Sequence, residues 1–193
     1  MRTVCVFCGS SPGADPSFLE GARALGQAIA ATNRVLVYGG AKSGLMGAIA
    51  DTVLAAGGKV IGIMPQSLVD KEVAHRGLSE LHIVSGMHER KTMMAELAEA
   101  FIAMPGGLGT LEEFFEVWTW AQLGLHQKPI GMFGPRAFFA PLLQYLDQLV
   151  VQRFVRPENR QMVCLEEEPH ALLERLERHE PVIVPKWLDR ADT

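Results

Sequence analysis

Nowhere does the chain run apolar for the ~18 residues that a membrane-spanning helix needs. Nowhere do Lys and Arg gather into the basic track that a nucleic-acid backbone requires. The net charge is −4 over 193 residues, so neither a membrane nor a polynucleotide is an expected partner. A phosphorylated small molecule is not excluded by this balance, because a few local cations and backbone N–H groups suffice to hold one. Cysteine is scarce: Cys5, Cys8 and Cys164 are the three. The first two spell C-x-x-C inside a strand-like run, where residues three apart point to opposite faces. They are therefore expected as buried thiols, not as a chelating or redox pair. The six histidines show neither H-x-x-x-H nor H-E-x-x-H spacing, and neither a metal nor a cofactor is expected. The opening "MRTVCVFCGSS" has too short an apolar run for a signal peptide, which makes the cytoplasm the expected location. Repeats, low-complexity tracts and linkers are all missing, so residues 1–193 are expected to form one domain.

What the chain does have is alternation. The β-rich runs "TVCVFCG", "RVLVYGG", "KVIGIMP", "LHIVSG", "FIAMPGG", "KPIGMF" and "QMVCLEE" are separated, with one exception, by helical patterns. The exception is the polar segment "QSLVDKEVAHRGLSE". In "DPSFLEGARALGQAIAA", Asp15 suits an N-cap and Pro16 the first helical position. Strands without polar alternation, mostly followed by helices, imply a parallel sheet covered on both faces. The expected fold is α/β: a Rossmann-like, doubly wound parallel sheet of about six to seven strands. Ligands of such sheets bind at the carboxyl ends of the strands. Glycine-rich loops containing Ser10, Gly39, Gly40 and Gly44 are expected at that edge, as is Gly106–Gly107.

The segment "AFIAMPGGLGTLEEFFEVW" carries the chemistry. A Walker loop does not fit Lys42–Ser43, since Leu36 and Ala41 occupy the glycine positions. A dinucleotide G-x-G-x-x-G belongs after the first strand, not here. Even so, Gly106, Gly107 and Gly109 would let a ligand approach the backbone. A helix starting near Thr110 would offer unpaired N–H groups and a partial positive charge to an anion. By pattern, Thr110 to Glu113 reads T-x-x-E, a capping box in which Glu113 folds back onto the N-cap N–H. Glu112 would be a first-turn acid. Upstream, in "MHERKTMMAELAEAF", Arg90 falls on the stripe of Met87, Met94, Leu97 and Phe101. An inward-facing Arg requires a carboxylate or phosphate partner. Lys91, off that stripe, is expected in solvent.

The ordered motifs "CVFCGSSPG", "YGGAKSGLMG", "MHERK", "PGGLGTLEE" and "WTWAQLGLHQKP" resemble those of the LOG ("lonely guy") family, cytokinin riboside 5′-monophosphate phosphoribohydrolases. Older naming called such sequences lysine decarboxylases. The likeness covers roughly residues 2 to 155 and fits P-G-G-x-G-T-x-x-E from Pro105 to Glu113, although Ala41 stands where the family commonly has a third glycine in "YGGG". The resemblance implies hydrolysis of the N-glycosidic bond of N6-modified adenosine 5′-monophosphates, and of AMP itself as a candidate, giving free base and ribose 5-phosphate. It implies Arg90 and Glu113 as catalytic residues. It implies substrate contacts from Glu72, Lys91, Gly107, Leu108, Gly109, Thr110, Leu111, Glu112 and Thr119, and a homodimer. The competing reading is a non-enzymatic binding module, such as a molybdenum cofactor carrier, using the same anion loop. Lysine decarboxylation would need pyridoxal phosphate on a lysine, and no lysine lies in a recognisable setting for it.

Overall fold

A computed structural model describes residues 1–71 and 73–181. Seven strands form its sheet: β1 (Thr3–Phe7), β2 (Val35–Tyr38), β3 (Lys59–Pro65), β4 (Glu80–Val84), β5 (Ala100–Ala103), β6 (Ile130–Phe133) and β7 (Val163–Glu166). They lie in the order β4-β3-β2-β1-β5-β6-β7, and every pairing is parallel. The helices are α1 (Pro16–Ala31), α2 (Gly44–Ala55), α3 (Gln66–Val69), α4 (Met87–Leu97), α5 (Leu108–Gln122), α6 (Arg136–Val151), α7 (Pro157–Gln161) and α8 (Pro169–Glu177). This is the doubly wound, Rossmann-like α/β architecture expected from the alternation of elements.

Each face of the sheet has its own core. Val4, Val6, Leu36, Tyr38, Val60, Ala100 and Ile102 pack on one side with α1, α2 and α8. Cys5, Phe7, Val37, Ile63, Phe101 and Ala103 pack on the other with α4, α5 and α6. Burial on both faces explains why these strands read as unbroken apolar runs. It also separates the two thiols: Cys5 belongs to one core and Cys8 to the other, and both are free and buried.

Local signals set several helix starts. The Asp15 carboxylate accepts from the Ser17 N–H at 2.9 Å, with Pro16 opening α1. Three elements depart from expectation. The polar segment after β3 contains the single turn α3, and α7 precedes β7. The largest departure is α5, which begins at Leu108 with Gly107 as N-cap and no side-chain cap bond. Thr110 is thus the third helical residue and Glu113 the sixth, so the capping box does not form. Most of the segment "EPVIVPKWLDRADT", expected to be irregular, lies outside the described residues, as does Glu72.

The order of strands reverses between β1 and β5, which places the topological switch point at their carboxyl ends. Phe101, fully buried on β5, stacks on Phe7 with ring centroids 6.0 Å apart and meets the His126 ring at 5.3 Å. Phe101→Ala is expected to lower unfolding free energy by about 3–5 kcal/mol, measured by urea denaturation. A loss below ~1 kcal/mol would show that the core at the switch point collapses around the cavity.

Candidate active site

The loops after β1, β2 and β5 and the start of α5 enclose an open cleft of about 510 Å³ at this switch point. Its size suits a small ligand. Backbone hydrogen bonds fix its rim. The Gly9 N–H donates to Pro105 O at 3.0 Å, and the Leu45 N–H donates to Gly9 O at 3.0 Å. Gly106 allows the tight passage from β5 into α5: a Cβ there would overlap the Thr110 hydroxyl and stand 2.9 Å from Gly9 N. The result brings Gly107, Leu108, Gly109 and Thr110 to the cleft. The first amides of a fifteen-residue helix therefore open onto it, an arrangement suited to a phosphate.

Arg90 enters the same cleft from α4. Only 7% of the residue is exposed. Its Nε donates to Ile63 O at 3.2 Å, and its Nη2 lies 3.2 Å from Glu113 Oε1. Glu113 is 9% exposed. Its inward position follows from the true start of α5, because Thr110, Glu113, Phe114 and Val117 form that helix's buried stripe. The partner demanded by Arg90 is therefore the carboxylate that the capping pattern had assigned to the helix start. The same stripe logic, applied to α5, would have found it.

Burial pushes the Glu113 carboxyl above the ordinary glutamate range; the Arg90 charge opposes this without overcoming it, with Glu112 and Glu116 raising and Lys91 lowering. Arg90 thus moderates Glu113 but does not hold it at an ordinary value. Burial, reinforced by Glu113, raises the Cys8 thiol far above its usual range, and Cys5 is likewise raised. Both thiols remain neutral and are poor nucleophiles.

Other expected site residues fall elsewhere. Ser10 and Gly39 line the cleft, while Gly106 lines an adjoining apolar recess of about 230 Å³ beside Phe18 and Phe138. Gly40 and Gly44 shape loops behind it, with φ of 79° and 59°. Lys91 is not solvated as the pattern implied: its Nζ bridges Glu112 at 2.5 Å and Glu116 at 3.0 Å, joining α4 to α5. Lys91, Leu111, Glu112 and Thr119 do not line the cleft formed by this chain. The cleft's apolar wall, from Met46, Met64, Leu68 and Val73, was not foreseen. Its one available signal was the position of Met64 at the carboxyl end of β3.

Fold and cleft together define a Rossmann-like protein with a helix N-terminus opening onto a cleft beside a buried Arg–Glu pair. Residues 46–176 match the family described as "Possible lysine decarboxylase". The chain is 48% identical over 165 residues to a cytokinin riboside 5′-monophosphate phosphoribohydrolase of Rhodococcoides fascians, covering 85% of this chain and 83% of that one. It is 43% identical over 180 residues to the rice (Oryza sativa subsp. japonica) enzyme of that name called LOG, covering 93% and 74%. The chain belongs to the LOG family. Among solved structures, the molybdenum cofactor binding protein of Rippkaea orientalis superposes with a TM-score of 0.69 at 23% identity, over 91% of this chain and 95% of that one. The molybdenum cofactor carrier protein of Chlamydomonas reinhardtii gives 0.68 at 18%, over 92% and 99%. At such identities the shared property is the fold.

A carboxyl whose pKa is raised on folding stabilises the protein fully below its unfolded value and loses that contribution as pH rises through the folded value. The stability of the wild type relative to Glu113→Gln is therefore expected to fall with rising pH above the ordinary glutamate pKa, ~4.3. Paired thermal melts across pH 4 to 8 measure this. A difference that instead grows with pH would mean that Arg90 outweighs burial.

Proposed function

We propose that this chain hydrolyses the N-glycosidic bond of nucleoside 5′-monophosphates, with N6-modified adenosine 5′-monophosphates as its main substrates, to free base and ribose 5-phosphate. The observation that carries the reading is the buried Arg90–Glu113 pair, one and a half turns inside the helix whose first amides suit a phosphate. With the 5′-phosphate on the amides of Gly107 to Thr110, the ribose lies over the first turns of α5, and its C1′ is directed at Glu113. Bond cleavage leaves positive charge on the sugar, and the electron pair departs with the base. The ionised Glu113 carboxylate opposes that charge, so the transition state gains more from it than the ground state does. Water supplies hydroxide to C1′ and a proton to the departing base. Arg90 fixes the carboxylate's position and offsets the negative charge that the phosphate brings. Lys91, held by Glu112 and Glu116, locks α4 to α5 and so supports the pair.

A carrier of phosphorylated cofactors fits less well. It needs the amides of α5 but has no use for a buried Arg–Glu pair beside them. A nucleotide substrate supports the cytoplasm as the site of the activity. The apolar side chains left exposed at the end of α5, Leu123 at 40% and Leu125 at 68%, support a homodimer through this region.

Incubation with AMP and with isopentenyladenosine monophosphate, followed by chromatography, tests the reaction. Release of base from the prenylated nucleotide is expected. Glu113→Gln is expected to reduce it by about 10²–10³-fold while the variant still melts cooperatively. Wild-type turnover in Glu113→Gln would refute the assignment. Light scattering is expected to report twice the monomer mass of 21.1 kDa, and Leu125→Asp to shift the protein toward monomer; a monomeric wild type would refute the homodimer.

A further inference from the structure

The loop after β2 passes directly beneath the Arg90 guanidinium, and the contact there is unusually close. A Cβ built on Gly39 would overlap Arg90 Nη2 and stand 3.1 Å from its Cζ. Met46 Cε would be 2.6 Å away. The backbone gives no reason for glycine at this position, because Gly39 is not among the positive-φ residues. Alanine could adopt its conformation. The demand for glycine is thus one of space alone. Met46 ends in a flexible methyl that can swing aside. The guanidinium cannot do so freely: Nε is bonded to Ile63 O, Nη1 lies 3.7 Å from Met87 Sδ, and Nη2 faces Glu113 Oε1. The atom that a methyl group would displace is the one that meets the carboxylate.

We propose that Gly39 is a positioning residue for the reaction, leaving open the slot in which the Arg90 guanidinium lies against Glu113. The inference rests on the proposed hydrolytic function for its effect on turnover, but not for its effect on Glu113 itself. Moving Nη2 away removes the nearest cation from the carboxylate. The other groups facing Glu113 are Lys91 on α4, Glu112 and Glu116 on α5, and the thiols of Cys5 and Cys8 around β1. Lys91 is already held by the two outer glutamates, and the thiols are neutral. None of these replaces Arg90.

The experiment compares Gly39→Ala in two backgrounds, wild type and Arg90→Lys. A lysine lacks the Nη2 atom, so it does not occupy the position that the new methyl group takes. In the wild-type background, Gly39→Ala is expected to lower kcat/KM by about 10²-fold, chiefly through kcat. It is also expected to move the acid limb of the pH profile to higher pH. In the Arg90→Lys background, the same substitution is expected to change kcat/KM by less than about threefold. A second readout is independent of turnover: the Glu113 carboxyl, followed by ¹³C NMR, should titrate at higher pH in Gly39→Ala than in wild type. If wild type released no base, the hydrolase reading would fail while the NMR shift still tested the slot. An unchanged Glu113 titration, or equal losses in both backgrounds, would overturn the proposal. Should Gly39→Ala alone not fold, the proposal requires Arg90→Lys to restore folding to the doubly substituted chain. A double variant that also fails to fold would overturn it.

Discussion

A guanidinium and a carboxylate, both taken almost wholly out of water, face each other at the carboxyl edge of a parallel sheet. Such a pair gains little net stability, because desolvation consumes most of the attraction, but losing either partner leaves a costly buried charge. Arg90 and Glu113 consequently constrain the elements that carry them. α4 and α5 must present these side chains to the same point, and the Lys91 bridge to Glu112 and Glu116 fixes the two helices on their outer side. The inner pair sets the electrostatics of the cleft; the outer bridge holds the geometry. Two adjacent glutamates thus do different work. Glu112 is half exposed and bridged by Lys91, whereas among the described residues Glu113 is the only carboxylate lining the cleft.

The sheet supplies the location. At the switch between β1 and β5 the crossovers diverge to opposite faces, leaving a crevice that no helix covers among the described residues. Gly9 pairs with Pro105 across it, so the two loops form one rim instead of two independent ones. The core beneath is built on both faces from predominantly apolar side chains, which gives the rim a stiff base. On the proposed reading, α5 separates the seat for phosphate from the carboxylate for the sugar along its own axis. The amides of its first turn open onto the cleft, while Glu113 lies in the second turn, where the helix's partial positive charge is already weaker.

Much of this was legible in the chain. Apolar runs without alternation gave the parallel sheet, and the switch-point rule gave the edge at which the glycine loops gather. Arg90 was legible because a charge on an apolar stripe stands out. Glu113 was obscured by competition between two local patterns. T-x-x-E is a strong helix-start signal, but Gly107 can itself serve as N-cap, and the chain starts the helix as soon as the glycines allow. Three additional residues in the helix turn Glu113 from the start onto the core-facing stripe. The state of Lys91 was not legible, because it depends on how α4 lies against α5, a relation between elements distant in sequence. The spacing under Arg90 was hidden too. A glycine needed for a distant side chain's volume looks, in sequence, like any turn glycine.

The raised carboxyl changes how the pair should be understood. Were Arg90 simply the stronger influence, Glu113 would be an inert, permanently ionised group, and its arginine a clamp. Burial has the larger effect here, so the surroundings of the carboxyl disfavour its charged form in spite of Arg90. An anion of that kind is poorly solvated and interacts strongly with any positive charge that forms beside it, and developing charge on a ribose ring is such a charge. A phosphate bound nearby would drive the carboxyl further toward protonation, which would abolish the effect. Arg90 lies where it can oppose both burial and a phosphate. In the proposed reaction, the guanidinium is the group that favours the charged carboxylate while a phosphate is bound nearby.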